Sequence, residues 1–334
     1  MAGTVLITGA NGTLALAFVQ ALLTLHPQYA LVATVRNASP EADPNTAALM
    51  RIVEKHPGVK VQVERLDLGK LDDVRRFADR LSDQIERGEL SRISAIVCNA
   101  STWSLEAGQK FTSDGLEATF QVAHLSHYLL VLKLLGSMDM SSGRIVMLGS
   151  ITHYPEKPNP LSAFGPEFPA DIEHLVKPPP DRAGEVHDRG FQRYGTAKLS
   201  NVTFMHDLNK RLEADPKLSK VTVTAMDPGG LAASRAQTEQ KRSVRWIMAA
   251  INFCMPVLRY FTTAFRPAAD SARDLVAVSV EPQFHGKRDY YVGRKPEASA
   301  EISRDAAVQE RLWTACWKWA GLSTEDTILQ NSAV

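Results

Sequence analysis

Short, almost wholly apolar runs alternate with longer segments of helical apolar spacing along most of the chain. Residues 5–8, 30–35, 59–66 and 93–98 are predicted strands. Residues 13–25, 45–56 and 71–87 between them are predicted helices, the last placing Val74, Phe77, Leu81 and Ile85 on one face. The rhythm continues with helix 116–135, strand 144–148, helix 194–212, strand 221–225 and a seventh strand at 289–292. Continuous apolar runs suit strands covered on both faces, and their alternation with helices predicts parallel βαβ units. The predicted fold class is α/β, a doubly wound and mostly parallel sheet, in a single domain over residues 1–334.

Three stretches depart from this rhythm. Residues 152–190 are proline-rich, with Pro155, Pro158, Pro160, Pro166, Pro169 and the triplet Pro178-Pro179-Pro180. Proline fixes φ and removes a donor, so neither a long helix nor a central strand is expected there. The insert reads as a partly ordered flap beside the site or as a mobile surface loop. Residues 240–267 form an apolar segment with Trp246, Ile247, Met248, Ile251, Phe253 and Tyr260, flanked by Lys241, Arg242, Arg245, Arg259 and Arg266. Its uncharged part is too short to span a bilayer. It reads as a lid over an apolar pocket, a contact in a homodimer, or a helix lying on a membrane face through residues 246–265. Residues 294–334 form a helical extension in which Trp313, Trp317 and Trp319 are expected to be core anchors.

The first strand runs into Thr8-Gly9-Ala10-Asn11-Gly12-Thr13-Leu14 and then a helix. Glycines let the backbone approach a pyrophosphate, and the helix N-terminus offers free N–H groups. Thr8, Gly9, Asn11, Gly12 and Leu14 are therefore candidate cofactor contacts. After the second strand, Arg36 stands where a carboxylate would accept from a ribose 2′-hydroxyl, and there is no carboxylate between Ala30 and Ser39. An arginine suits a 2′-phosphate, which points to NADP(H). Asp67-Leu68 and Asn99-Ala100 close the third and fourth strands, the edge where open α/β sheets bind ligands.

Ser150 follows the fifth strand, and Tyr194 and Lys198 stand four apart at the start of a predicted helix. The expected chemistry is proton transfer by Tyr194, with Lys198 lowering the phenol's pKa and Ser150 bonding the substrate oxygen.

In this order Thr8-Gly9-Ala10-Asn11-Gly12, Asn99-Ala100, Ser150, Tyr194 with Lys198, and Asp227-Pro228-Gly229 resemble the motifs of the short-chain dehydrogenase/reductase family, over roughly residues 4–293. Residues 120–125 resemble the branch of retinol dehydrogenases, ketosteroid reductases and the WW-domain oxidoreductase. The resemblance implies a Rossmann-type fold, NADP(H), and a lipophilic carbonyl/alcohol pair as substrate. It adds Pro228, Gly229 and Ser234 to the cofactor site. The family's third glycine is here Ala15. Its fourth catalytic residue, an asparagine that kinks the long helix and helps hold a water, aligns with Ala123. The threonine expected after Pro228-Gly229 aligns near Ala233, with Ser234 next to it.

Net charge is +1 and no basic run with interleaved aromatics occurs, so nucleic acid is not an expected partner. Cys98, Cys254 and Cys316 match no metal-ligand spacing and are each expected to be small buried hydrophobes in a reducing compartment. With no leader-like start, a cytoplasmic location is expected, with peripheral contact to a membrane face left open. A reductase or dehydrogenase of a bulky lipophilic substrate is the first reading. A non-redox isomerase, dehydratase or cyclase, motivated by Ala123, and a cofactor-binding sensor or scaffold are the rivals.

Overall fold

The computed structural model describes residues 2–159, 161–231, 234, 242–258 and 265–330. Eight strands form one sheet in the order β3-β2-β1-β4-β5-β6-β7-β8. They are β1 (Gly3–Thr8), β2 (Tyr29–Val35), β3 (Val61–Arg65), β4 (Ile93–Cys98), β5 (Arg144–Leu148), β6 (Thr222–Asp227), β7 (Tyr290–Val292) and β8 (Lys295–Glu297). All neighbours pair in parallel except β7 with β8, an antiparallel edge. Every residue of β1, β5 and β6 is buried, as expected of strands covered on both faces.

The chain winds outward from β1 to β3, then crosses back to lay β4 on the other side of β1. A crevice therefore opens beyond the carboxyl ends of β1 and β4, where ligands bind in such sheets. Helices α1 (Thr13–Leu25) and α8 (Ala268–Val280) cover one face together with α2 (Pro44–Glu54). The other face carries α3 (Leu71–Glu86), α4 (Ala118–Phe120), α5 (Ser126–Leu134), α6 (Val186–Ala214) and α9 (Ala306–Ala320). On α3 the predicted stripe is buried at Val74, Phe77 and Leu81.

Two helices differ from expectation. The predicted helix 116–135 is split into α4 (Ala118–Phe120), a π-turn (Gln121–Leu125) and α5 (Ser126–Leu134). Helix α6 starts at Val186, so its first turns lie inside the stretch expected to be helix-free. No proline lies between Pro180 and Pro216, and the glycines of that helix are contacts rather than breaks: a Cβ on Gly190 would meet the Ser104 carbonyl oxygen at 2.3 Å. The rest of the insert holds 3₁₀ turns at Ile151–His153 and Ile172–Leu175. It is tied down where the Thr196 hydroxyl bonds to the N–H and carbonyl of Glu167 (3.1 and 3.3 Å) and the Tyr154 hydroxyl donates to the Ala298 carbonyl (2.6 Å).

In the C-terminal extension Trp313 is a core residue, whereas Trp317 and Trp319 are half-buried against the core. Trp313 is buried against Tyr128 and Phe204, and Trp319 stands edge-on to Phe120. Cys98 and Cys316 are buried, but Cys254 is exposed, because it lies on the outer side of α7 (Arg242–Leu258). Among the described residues no helix is long and apolar enough to cross a membrane, and no cluster of potential metal ligands occurs.

Candidate active site

The crevice between β1 and β4 is built from residues local in sequence. Gly9 has φ +63°, and a Cβ there would lie 3.0 Å from Ala100 Cβ and 3.1 Å from its Cα, so only glycine lets the two strand ends approach. Gly12 is the N-cap of α1 and supplies no side-chain cap, which leaves helix N–H groups for an anion. Leu14 and Ala15 are buried, so Ala15 fits where the family has glycine. A dinucleotide fits this cradle: it would be held by the Gly9–Gly12 backbone and the N-terminus of α1.

Around the cradle the candidates divide. Asn99 Nδ2 donates to the Thr8 carbonyl (2.9 Å), bracing the glycine turn. Asn11 turns away, donating to Asp43 (2.9 Å) and Thr46 (3.1 Å) and so tying the turn to α2. Arg36 is exposed at the end of β2 and has no ion-pair partner among the described residues. Asp67 accepts from the Gly69 N–H (3.0 Å), and Leu68 is buried, its carbonyl accepting from the Ser126 hydroxyl (2.6 Å). Gly229 donates to Asp227 (2.7 Å) and the Pro228 carbonyl accepts from Ser271 (2.6 Å). Ser234 N–H donates to the Leu231 carbonyl (2.9 Å), while Ala233 lies outside the described residues.

The catalytic candidates converge. Tyr194 sits in the third turn of α6 rather than at its start, and its hydroxyl faces the Ser150 side chain. Ser150 caps the turn after β5, accepting from Thr152 N–H (3.3 Å). Lys198, one turn on, is buried with Nζ 5.5 Å from the Tyr194 ring centre and 3.0 Å from the Leu148 carbonyl. Burial lowers its pKa to about 8, opposed by the Asp227 carboxylate.

One electrostatic expectation is corrected. The Tyr194 phenol is held well above its ordinary value, first by burial and then by Asp227, with only the Ser150 bond acting downward. Asp227 is itself buried, which pushes its carboxyl up. The expected lowering by Lys198 neglected the loss of water around the phenol, which is the larger effect. A phenol held in this way stays protonated at neutral pH.

Several site residues were not anticipated. Trp103 and Phe191 stand 4.8 and 6.4 Å from the Tyr194 ring and give it an aromatic wall. Asn201, at i+3 from Lys198, donates to the same Leu148 carbonyl (3.2 Å) and accepts from His124 Nδ1 (2.9 Å). The i+3 spacing was the available signal. Ala123 occupies the π-turn, so the helix is distorted there without the asparagine. Its carbonyl bonds to His127 Nδ1 (3.2 Å). A cavity of about 340 Å³ under the insert is lined by Glu117, Pro178, Asp181 and Arg193. Thr196 also lines it, and with Arg193 places it off the face of α6 that carries Tyr194 and Lys198.

Comparison with known proteins gives the family. The chain is 32% identical to the short-chain dehydrogenase iccH of Talaromyces variabilis over 98% of both chains. It belongs to the short-chain dehydrogenase/reductase family. The family model for short chain dehydrogenase matches residues 3–160, and one for an AcuH dehydrogenase domain matches residues 237–329. The WW domain-containing oxidoreductase of Drosophila melanogaster is 28% identical over 93% of this chain and 66% of its own. The angucycline C-6 ketoreductase LanV with bound NADP shares the fold, with a TM-score of 0.59 at 16% identity over 87% of this chain and 93% of that one. The chain is thus an oxidoreductase of a family that uses a nicotinamide cofactor.

Proposed function

We propose that this family member is an NADP(H)-dependent oxidoreductase that interconverts a ketone and a secondary alcohol on a bulky lipophilic substrate. The observation that carries the reading is the convergence of Tyr194 with Lys198, whose Nζ lies 5.5 Å from its ring centre, beside Ser150 and walled by Trp103 and Phe191. Exposed Arg36, with no carboxylate between Ala30 and Ser39, supports NADP(H) over NAD(H), and structural relatives such as LanV are described with bound NADP.

In reduction, bound NADPH supplies the hydride. Tyr194 donates the proton to the carbonyl oxygen, consistent with a phenol held protonated by burial. Ser150 donates a second hydrogen bond to that oxygen and steadies its developing charge. Lys198, fixed on the Leu148 carbonyl, keeps positive charge beside the phenolate left behind. The aromatic rings exclude water from the reacting face and favour an apolar substrate.

The test follows NADPH absorbance with a panel of lipophilic ketones and analyses the products. Oxidation of NADPH with alcohol formed in equal amount is expected. Product without NADPH loss would replace this reading by an isomerase, dehydratase or cyclase. Cofactor binding with no product from any ketone would replace it by a sensor.

A further inference from the structure

Helix α7 carries apolar residues on two faces. Val244, Met248, Ile251 and Met255 recur at helical spacing and pack with Phe265, with Met248 and Met255 buried. Across the helix, Trp246 is 78%, Ile247 56% and Phe253 86% exposed. Trp246, Ala250 and Phe253 follow the i, i+4, i+7 spacing of one face, and Ala249 and Ala250 between them are exposed as well. Contiguous exposed apolar surface of this kind marks an interaction site.

The charge around it selects the partner. Between Glu239 and Asp270 the sequence has Lys241, Arg242, Arg245, Arg259 and Arg266 and no acidic residue, although the whole chain has a net charge of only +1. Arg266 is paired with Asp274. The other four belong to a segment that would repel its own copy and attract an anionic surface. A helix of 17 residues, about 25 Å long, with aromatics on an outer face and basic neighbours, has the make-up of one lying in the plane of a bilayer.

We infer that the outer face of α7 docks the protein on an anionic lipid surface through Trp246, Ile247 and Phe253. The excursion carrying α7 starts and ends at the site: Gly230 bridges to Phe265, and Arg266 N–H donates to the Gly230 carbonyl (2.9 Å), directly after Asp227-Pro228-Gly229. Docking would therefore tether the end of β6, beside the crevice, to the lipid surface. The inference stands on α7 itself and does not need the proposed substrate.

Co-sedimentation of the full chain with vesicles tests it. Phosphatidylcholine vesicles are compared with vesicles containing about 30% phosphatidylserine, because a basic segment responds to surface potential. Binding to the anionic vesicles only, weakened by salt, is expected. The double variant Trp246→Ser, Phe253→Glu should bind at least about tenfold more weakly, since it loses its inserted apolar groups. Its melting temperature should match the parent's, because both side chains are exposed. Equal binding to both vesicle types, no binding, or an unchanged affinity in the variant would overturn the inference. So would concentration-dependent dimers that the same variant abolishes in the absence of vesicle binding.

Discussion

Thr8 Oγ1 lies 2.8 Å from His127 Nε2, and the two groups determine each other's proton positions. The Thr8 oxygen accepts from the N–H groups of Asn99 and Ala100, both at 3.0 Å. Both lone pairs are used, so its single proton points at His127. Nε2 is then the acceptor, and the imidazole proton sits on Nδ1, which donates to the Ala123 carbonyl. One relay of bonds joins the glycine turn, the end of β4 and the π-turn. Thr8→Val leaves the Ala100 N–H and the buried His127 Nε2 without partners, while the Asn99 N–H keeps the Val97 carbonyl (3.0 Å). It should cost about 1–3 kcal/mol of stability and weaken cofactor binding, measured by denaturant unfolding and by titration. Unchanged cofactor affinity would show that the relay does not shape the cradle.

The same imidazole predicts an acid-side instability. Burial pushes His127 down to about 3, from about 6.5 when unfolded. Between these values the unfolded chain holds the extra proton, so this contribution to stability falls as pH falls below about 6.5. At about pH 5 the loss is about 2 kcal/mol. A His127→Phe variant lacks this dependence, so the stability gap between parent and variant should narrow from neutral pH to about pH 5. A constant gap would mean that His127 is not desolvated.

Tyr194→Phe should abolish turnover while cofactor affinity stays near the parent's, because the ring still packs against Trp103. Positioned proton transfer contributes roughly 10²–10⁴-fold, so a variant keeping more than about a tenth of the rate would remove Tyr194 from the role of acid.

Lys198 predicts the alkaline limit of reduction. With its pKa lowered to about 8, its positive charge is lost as pH rises through that value. The kcat/KM for a ketone, which reports the free enzyme, should fall above about pH 8. Lys198→Arg keeps its charge, so whatever activity remains should lose that limb. A parent profile flat to pH 10 would show that the charge does not assist.

Arg36→Ala should remove most of an expected tenfold or larger preference for NADPH over NADH. A tenfold change is about 1.4 kcal/mol, within reach of one charge-assisted contact. Equal affinities for the two cofactors in the parent would defeat the NADP(H) assignment.

Ala123→Asn tests the substitution at the π-turn. Ala123 is buried and the turn already forms without the asparagine, so the added amide should cost about 1–3 kcal/mol if unpartnered and should not raise the reductase rate. A faster enzyme of unchanged melting temperature would show that a missing water relay limits the reaction.

The sequence by itself determined what depends on neighbours in the chain. Apolar runs of strand length specified β1 to β6, and the four-residue spacing put Tyr194 and Lys198 on one face of α6. Gly9 and Gly12 marked the turn, because a close backbone approach and a positive φ are local demands. The seventh strand was legible too, but its antiparallel neighbour β8 was not, because its exposed residues carry no burial pattern. Only the tertiary structure decided the rest. Thr8 and His127 are 119 residues apart, and no periodicity relates them. The π-turn at Ala123, the link from Asn201 to His124 and the aromatic wall of Trp103 likewise need distant elements in place. The charge state of Tyr194 was not legible for the same reason: the spacing showed a lysine nearby, but only packing shows how far the phenol is withdrawn from water, and that withdrawal raises its pKa.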